Sequence, residues 1–338
     1  MNRRSVTKAI ALSLPLSVGC ASQKDVVQTK GVDIIKPRRL KPGDTIGLIS
    51  PGSSLSDAAL EKCVANLEKA GFRVKPGRHW KEQHGYLAGI DKVRLEDIHA
   101  MFEDDSVDGV WCARGGYGCS RLLPYLDYNL IKRNPKVLIG YSDITALINS
   151  IYKETGLIGF HGPVASSEFN EFSTDGIRNL LQTPLDEYQL SNAENHQIEI
   201  LKEGRANGRL VGGNLTLLAS MCGTLYQVEM KDKLVFIEDV GEKPYRIDRM
   251  LTQLLQSSRL SEAAGIILGR FNDCEPDEGD RSLSLRECLI DRLGGLNIPI
   301  ALGFSFGHIS EQFTIPVGVM ATFDTQAKTL LLNEAAVL

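Results

Sequence analysis

Residues 136–151, KVLIGYSDITALINSI, change character at their centre. Lys136 to Gly140 is a short apolar run with the length of a buried strand. From Ile144 onward the apolar positions Ile144, Leu147, Ile148 and Ile151 recur at helical spacing. Two earlier runs repeat the strand signal. Asp44 to Ser50 (DTIGLIS) is entered from Lys41-Pro42-Gly43 and ended by Pro51-Gly52-Ser53, and Asp108 to Ala113 (DGVWCA) is again apolar. After the first of them, Ala58, Leu60, Val64, Leu67 and Ala70 mark a helix that stops at Gly71. Strands alternating with helices at this rhythm predict a mostly parallel sheet covered on both faces, an α/β fold.

Beyond Pro163 the pattern weakens. Residues 164–205 are polar, with one short helix near Ile177 to Leu181. A second ordered block follows. It holds a strand at Leu234 to Val240 and a helix at Tyr245 to Leu260, where Ile247, Met250, Leu251, Leu254 and Leu255 form one stripe. Strands at Gly265 to Arg270 and Ile298 to Phe304 come next. Two β runs, Ile315 to Phe323 and Thr329 to Leu332, close the chain, with a hairpin turn expected around Phe323-Asp324-Thr325. The expected division is an N-terminal α/β domain at 39–165, an inter-domain crossing at 166–207 and a C-terminal domain at 208–338.

The chain has 338 residues, and at about 150 residues per domain this length suits two domains. Apolar residues make up 43% and charged residues 24%, which excludes a disordered chain, a coiled coil and a fibrous repeat. With 38 basic against 42 acidic residues the formal net charge is −4, which disfavours nucleic acid as a partner. No run reaches the roughly 18 apolar residues of a membrane span. The seven cysteines show neither a CxxC pair nor Cys/His ligand spacing, so no metal site is expected.

The first twenty residues, MNRRSVTKAIALSLPLSVGC, read as an address. Arg3, Arg4 and Lys8 form a basic segment, Ala9 to Val18 an apolar one, and Gly19-Cys20 a small-residue cleavage setting. This resembles a bacterial lipoprotein signal, with Cys20 the lipidated residue and 21–38 a tether. The paired arginines also fit a twin-arginine signal loosely. The competing reading is an N-terminal helix packed on the body. Export would expose the remaining cysteines to oxidation. Cys63, Cys112, Cys222 and Cys288 nevertheless lie in apolar patterns that favour buried free thiols.

Three short segments could carry chemistry. Ser142 stands between a buried strand and a helix, where open α/β sheets place their ligands and helix amides point at an anion. This is the setting of a nucleophile elbow, although Ile144 replaces the second glycine of G-x-S-x-G. The alternative is that Ser142 or Asp143 caps the helix. Arg114-Gly-Gly-Tyr-Gly follows another strand and could present amides to an anion, or form a plain tight turn. Cys119 lies just beyond, with no base supplied to it. Glu238 and His308 each close an apolar run in the second block, and His161 in FHGP is a comparable histidine. Serine, acid and base thus occur in the order a serine hydrolase could use.

Taken together, the segments LKPGDTIGLISPGS, ARGGYGCSRLLPYLDY, KVLIGYSDITAL, GFHGP, GRLVGGNLTLL, VFIEDVGEKPYRIDRML and ALGFSFGH resemble the LD-carboxypeptidase family of serine peptidases. That family includes murein tetrapeptide carboxypeptidases and microcin C self-immunity peptidases. The likeness runs from about Leu40 to Phe323. It implies a flavodoxin-like N-terminal α/β domain, a smaller β-rich C-terminal domain, a homodimer and no cofactor. It also implies a catalytic triad of Ser142, Glu238 and His308. The amides of Asp143 and Gly116 would then form the oxyanion hole, and Asn214 and Arg114 would contact substrate.

The implied activity is removal of the terminal D-alanine from murein tetrapeptide stems. Arg246 and Arg249 are further cations for the substrate carboxylate, or simply a solvated helix face. Family members that recycle murein act in the cytoplasm, whereas the signal here implies a membrane-anchored protein of the cell envelope. Two rivals remain: a peptidase of peptidyl-nucleotide antibiotics, for which Trp80 and Trp111 decide nothing, and a non-catalytic two-lobed binding lipoprotein.

Overall fold

In the computed structural model the apolar runs of the N-terminal half become strands in one sheet. Strand β1 (Thr45–Ile49) leads to helix α1 (Asp57–Lys69), β2 (Arg73–Pro76), α2 (Asp91–Glu103), β3 (Gly109–Cys112), α3 (Tyr128–Arg133), β4 (Val137–Gly140), α4 (Thr145–Thr155) and β5 (Gly159–His161). These strands are all parallel, in the spatial order β2-β1-β3-β4-β5. That is the flavodoxin-like order, whose ligand crevice lies at the carboxyl ends of the strands. Both faces of this sheet are covered, so its central strands read as unbroken apolar runs. β3 and β4 are buried at every position. Trp111 on β3 is wholly buried and its indole N–H donates to the carbonyl of Pro163 at 2.8 Å. The largest side chain of this core therefore leaves no unpaired donor.

The segment expected as a crossing is more structured than its polarity suggests. It forms helix α5 (Glu171–Ile177) and strands β6 (Tyr188–Leu190) and β7 (Glu199–Lys202), and it enters β8 (Arg205–Asn214). The chain continues through α6 (Leu215–Ser220), β9 (Lys233–Val240), α7 (Pro244–Ser257), β10 (Gly265–Asn272), α8 (Leu285–Leu293) and β11 (Ile300–Leu302). Among the described residues the second sheet has eight strands. Its parallel centre β8-β9-β10-β11 is flanked by antiparallel strands, with β6 and β7 at its two edges.

The run expected at Ile315 to Phe323 is two strands rather than one. β12 (Ile315–Val317) pairs antiparallel with β5 in the first sheet. β13 (Met320–Asp324) pairs with β8 in the second, and β14 (Thr329–Leu332) pairs with β13. The turn between the last two spans residues 325–328, slightly beyond the expected position. Gly318 makes the change of sheet at φ +97, and a Cβ there would lie 2.2 Å from the Tyr152 ring. Both the backbone angle and the space require glycine.

The structure describes residues 33–338, which form one compact unit. The expected signal segment, Cys20 and the tether as far as residue 32 lie outside the described residues. The rest of the expected tether, 33–38, is docked on the body. Ile35 exchanges backbone hydrogen bonds with Gly156 and Ile158, and Pro37 accepts from the amide of the C-terminal Leu338. Among the described residues six cysteines are free, and five of them are buried.

Gly318→Ala should lower stability by about 2 kcal/mol or more, since it adds both backbone strain and overlap with an aromatic ring. Urea unfolding of the purified variant measures this. A midpoint equal to that of the wild type would refute the account of the sheet change.

Candidate active site

Ser142 follows β4 after Tyr141 and has φ +63, a left-handed conformation that costs a non-glycine residue about 1–3 kcal/mol. The surroundings enforce it. A Cβ on Gly140 would meet the Ile144 side chain at 2.9 Å. A Cβ on Gly115, from the loop after β3, would meet Ser142 Cβ at 2.9 Å, Tyr141 O at 3.0 Å and Asp143 N at 3.1 Å. The sharp elbow therefore needs no glycine at 144. Ile144 is fully buried, and the close approach is made by the neighbouring loop instead. The capping alternative is not what forms. Neither the 3₁₀ turn at Ser142–Ile144 nor α4 has a side-chain cap. The Asp143 carboxylate accepts instead from the amide of Cys119 at 2.8 Å, and burial pushes its pKa up. The first amides of this turn, that of Asp143 included, have no intrahelical acceptor.

The Arg114–Gly118 loop lies against this elbow. Gly116 and Gly118 have φ +87 and +125. The amide of Ser53, after β1, donates to Gly115 O at 3.0 Å, and Ser53 Oγ accepts from the amide of Tyr117 at 3.0 Å. Beneath the two loops lies Arg94, buried on α2. Its guanidinium donates to the carbonyls of Pro51 and Gly118 and pairs with Asp91. Cys119 is wholly buried, which holds its thiol far above the ordinary value, so it is protonated and out of reach of solvent.

Glu238 is on β9 and has no exposed surface. Its Oε2 pairs with His308 Nδ1 at 2.7 Å, while Oε1 has no hydrogen-bond partner. Gly307, just before His308, has φ +121, and a Cβ there would lie 3.1 Å from Glu238 Oε2, so both the backbone angle and the close approach favour glycine beside the pair. Asn272 donates to the carbonyl of His308 at 3.0 Å. The Tyr141 ring packs edge-on against His308, with centroids 4.9 Å apart. Because Nδ1 is taken by the carboxylate, Nε2 is the ring nitrogen left for chemistry.

Ser142 and His308 line one cleft of about 430 Å³, together with Arg114, Gly115, Gly116, Tyr141, Val164, Ser166, Ser167 and Val240. Asn214 is not among them. It is 3% exposed, and its side chain caps α6 by accepting from Leu217 N and donates to Asp239 Oδ1 at 2.9 Å. Where a substrate contact is expected, the structure shows an internal role. Asp239 in turn accepts from the amide and hydroxyl of Thr216 and from the amide of Val240. Arg246 and Arg249 lie over the ring of Tyr245 on α7, and Arg246 also pairs with Glu242. Tyr245 belongs to a second cavity of about 480 Å³, which holds none of the residues expected to do chemistry. His161 is 1% exposed and lies outside the cleft lining.

Several contributors escape a linear reading. Ser53, Arg94 and Gly115 act from loops and helices distant in sequence. Asp239, the acid that follows Glu238, faces the opposite side of the strand. The rule that successive strand residues alternate could have separated the two roles. Among the described residues no group of three or more His, Cys, Asp or Glu is arranged to hold a metal ion. No helix among them is long and apolar enough to cross a membrane.

Comparison with known proteins agrees with this architecture. The sequence models of the LD-carboxypeptidase N-terminal and C-terminal domains match residues 46–162 and 207–323. A probable murein peptide carboxypeptidase of Bacillus subtilis is 41% identical over 303 residues, 88% of this chain and 94% of the relative. A murein tetrapeptide carboxypeptidase of Pseudomonas aeruginosa is 34% identical over 287 residues, 82% of this chain and 92% of the relative. The solved structure of MccF in complex with glutamyl sulfamoyl guanosine superposes with a TM-score of 0.83 at 26% identity, covering 90% of this chain and 99% of that one. With both domain models matched in order and the relatives covered almost end to end, the chain belongs to the LD-carboxypeptidase family.

Proposed function

We propose that this protein is a serine carboxypeptidase that removes the terminal D-alanine from murein tetrapeptide stems. The observation that carries the reading is the strained Ser142 sharing a cleft with His308, whose far nitrogen is held by a fully buried carboxylate. The names of the two murein carboxypeptidase relatives supply the substrate.

In this mechanism His308 Nε2 takes the hydroxyl proton as Ser142 Oγ attacks the scissile carbonyl. Glu238 holds the imidazole in one tautomer and stabilises the cation that forms. The oxyanion is received by the amides of Asp143 and Gly116, each such donor being worth about 10²–10³ in rate. His308 then hands its proton to the departing amine of D-alanine. Water, activated by the same base, releases the acyl group from Ser142. Arg114 is the one lysine or arginine among the cleft-lining residues, and it is our candidate for the substrate's free carboxylate. Asn214 supports the site from within, by fixing Asp239 beside Glu238 on β9.

The likeness to the MccF complex favours a second reading, hydrolysis of a peptidyl-nucleotide. The export signal read in residues 1–20 weighs toward the wall substrate. A lipidated Cys20 would hold the enzyme at the envelope, where stem peptides are trimmed rather than recycled.

Incubation with a murein tetrapeptide should release free D-alanine, and Ser142→Ala should abolish release while the protein stays folded. Turnover of an aminoacyl sulfamoyl nucleoside with none of the tetrapeptide would select the second reading. Near-normal turnover by folded Ser142→Ala would end the serine mechanism, and binding without any turnover would select a binding lipoprotein.

Glu238→Ala and His308→Ala should each cut kcat severely, and the double variant little further, because members of such a unit lose activity non-additively. Multiplicative losses in steady-state kinetics would show that the two act independently.

Cys20→Ser should move the protein out of the membrane fraction, or leave its precursor uncleaved, without changing kcat of the purified enzyme. Mass spectrometry of the native protein checks this directly. An unmodified Met1 terminus on a cytosolic protein would overturn the envelope assignment.

A further inference from the structure

Two buried polar groups beside the His308–Glu238 pair have no partner. One is Glu238 Oε1, and the other is the imidazole of His161, whose two ring nitrogens are both unpaired. His161 ends β5, where it pairs in register with Gly140 of β4 on one side and Ile315 of β12 on the other. Its ring stands edge-on to Phe236 with centroids 5.3 Å apart. Phe236 and Glu238 are two apart on β9 and so face the same way. The imidazole and the carboxylate therefore share one side of that strand. Tyr141 closes the arrangement, packing edge-on against His161 at 6.1 Å and against His308 at 4.9 Å. Phe306 covers the remaining flank of His161 at 6.4 Å.

Burial pushes the His161 pKa down to about 4, outweighing the attraction of the Glu238 charge, so the ring is neutral at pH 7. A neutral imidazole has one N–H to donate and one lone pair to offer. Buried polar groups in native proteins are almost always paired, directly or through an ordered water that needs at least two polar partners. The two orphan groups lie on the same side of β9.

We propose that His161 is a positioning residue for Glu238, holding the free carboxylate oxygen Oε1 through one bridging water so that Oε2 stays aimed at His308 Nδ1. The assignment rests on the serine-peptidase reading above and adds to it a group that touches neither substrate nor Ser142. It accounts for a histidine ring, rather than a purely apolar one, set edge-on against Tyr141, Phe236 and Phe306.

Three variants test it. His161→Phe keeps the aromatic volume and removes the donor, His161→Leu is a second donor-free variant, and His161→Gln restores an N–H. Two readouts are needed. The first is the low-field proton NMR signal of the His308 ring N–H bonded to Glu238, read in substrate-free full-length protein. The second is kcat and KM for whichever substrate the wild type cleaves. We expect a folded donor-free variant to lose the low-field signal and about 10- to 100-fold in kcat with KM unchanged, and glutamine to recover both. A donor-free variant with the wild-type signal and kcat would overturn the proposal, as would a glutamine variant as impaired as phenylalanine. Because the proton signal needs no substrate, a wrong substrate assignment and a wrong role for His161 give different results.

Discussion

The structure depends on one close approach, that of helix α4 to the end of strand β8. The side-chain amide of Asn149 donates to the carbonyl of Gly212 at 2.8 Å, and Thr145 Oγ1 accepts from the amide of Asn214 at 3.0 Å. A Cβ on Gly213 would lie 2.5 Å from that same hydroxyl, so only a glycine lets the backbone in. Thr145 is the first residue of α4, immediately after the elbow turn, and Asn214 lies opposite Glu238 in the register of β8 with β9. The contact thus ties the serine of one lobe to the acid of the other, through buried hydrogen bonds and within a few residues of each.

The exchange of β12 works with this contact. A strand from the C-terminal half completes the first sheet, pairing with β5 beside His161, and the chain returns to the second sheet across Gly318. A cleft whose walls come from two sheets is precise only if the sheets cannot rock, since a misplacement of about 1 Å can cost two orders of magnitude in rate. Here the lobes share a strand, a helix contact and the docked chain end. Arg94 does the same on a smaller scale, spanning the loops after β1 and β3 with one buried cation.

Much of this was legible along the chain. The runs DTIGLIS, DGVWCA and KVLIG are buried strands because both faces of a parallel sheet are covered, which leaves an unbroken apolar signature. The position of Ser142 between strand and helix carried the elbow, and Glu238 and His308 stood out as polar residues closing apolar runs. Strands β6 and β7 were not legible, because edge strands with one solvated face are polar and short. The division of Ile315 to Phe323 was hidden as well, since both halves are apolar and only the sheets they join differ.

Local order is what the amino-acid sequence by itself determined: the alternation of strand and helix, the place of Ser142 between a strand and a helix, and the residue types a hydrolytic site requires. Periodicity and turn chemistry act over a few residues, so they can be read there. Tertiary structure alone decided that Glu238 meets His308 across Gly307 rather than facing solvent, and that Asn214 points inward to Asp239 rather than into the cleft. It also decided that His161 lies buried against Phe236, outside the cleft that His308 lines. Each of these is a choice between two sides of a strand or two partners far apart in the chain. Such a choice is settled by the burial and hydrogen bonding of the assembled sheets, which no single segment contains.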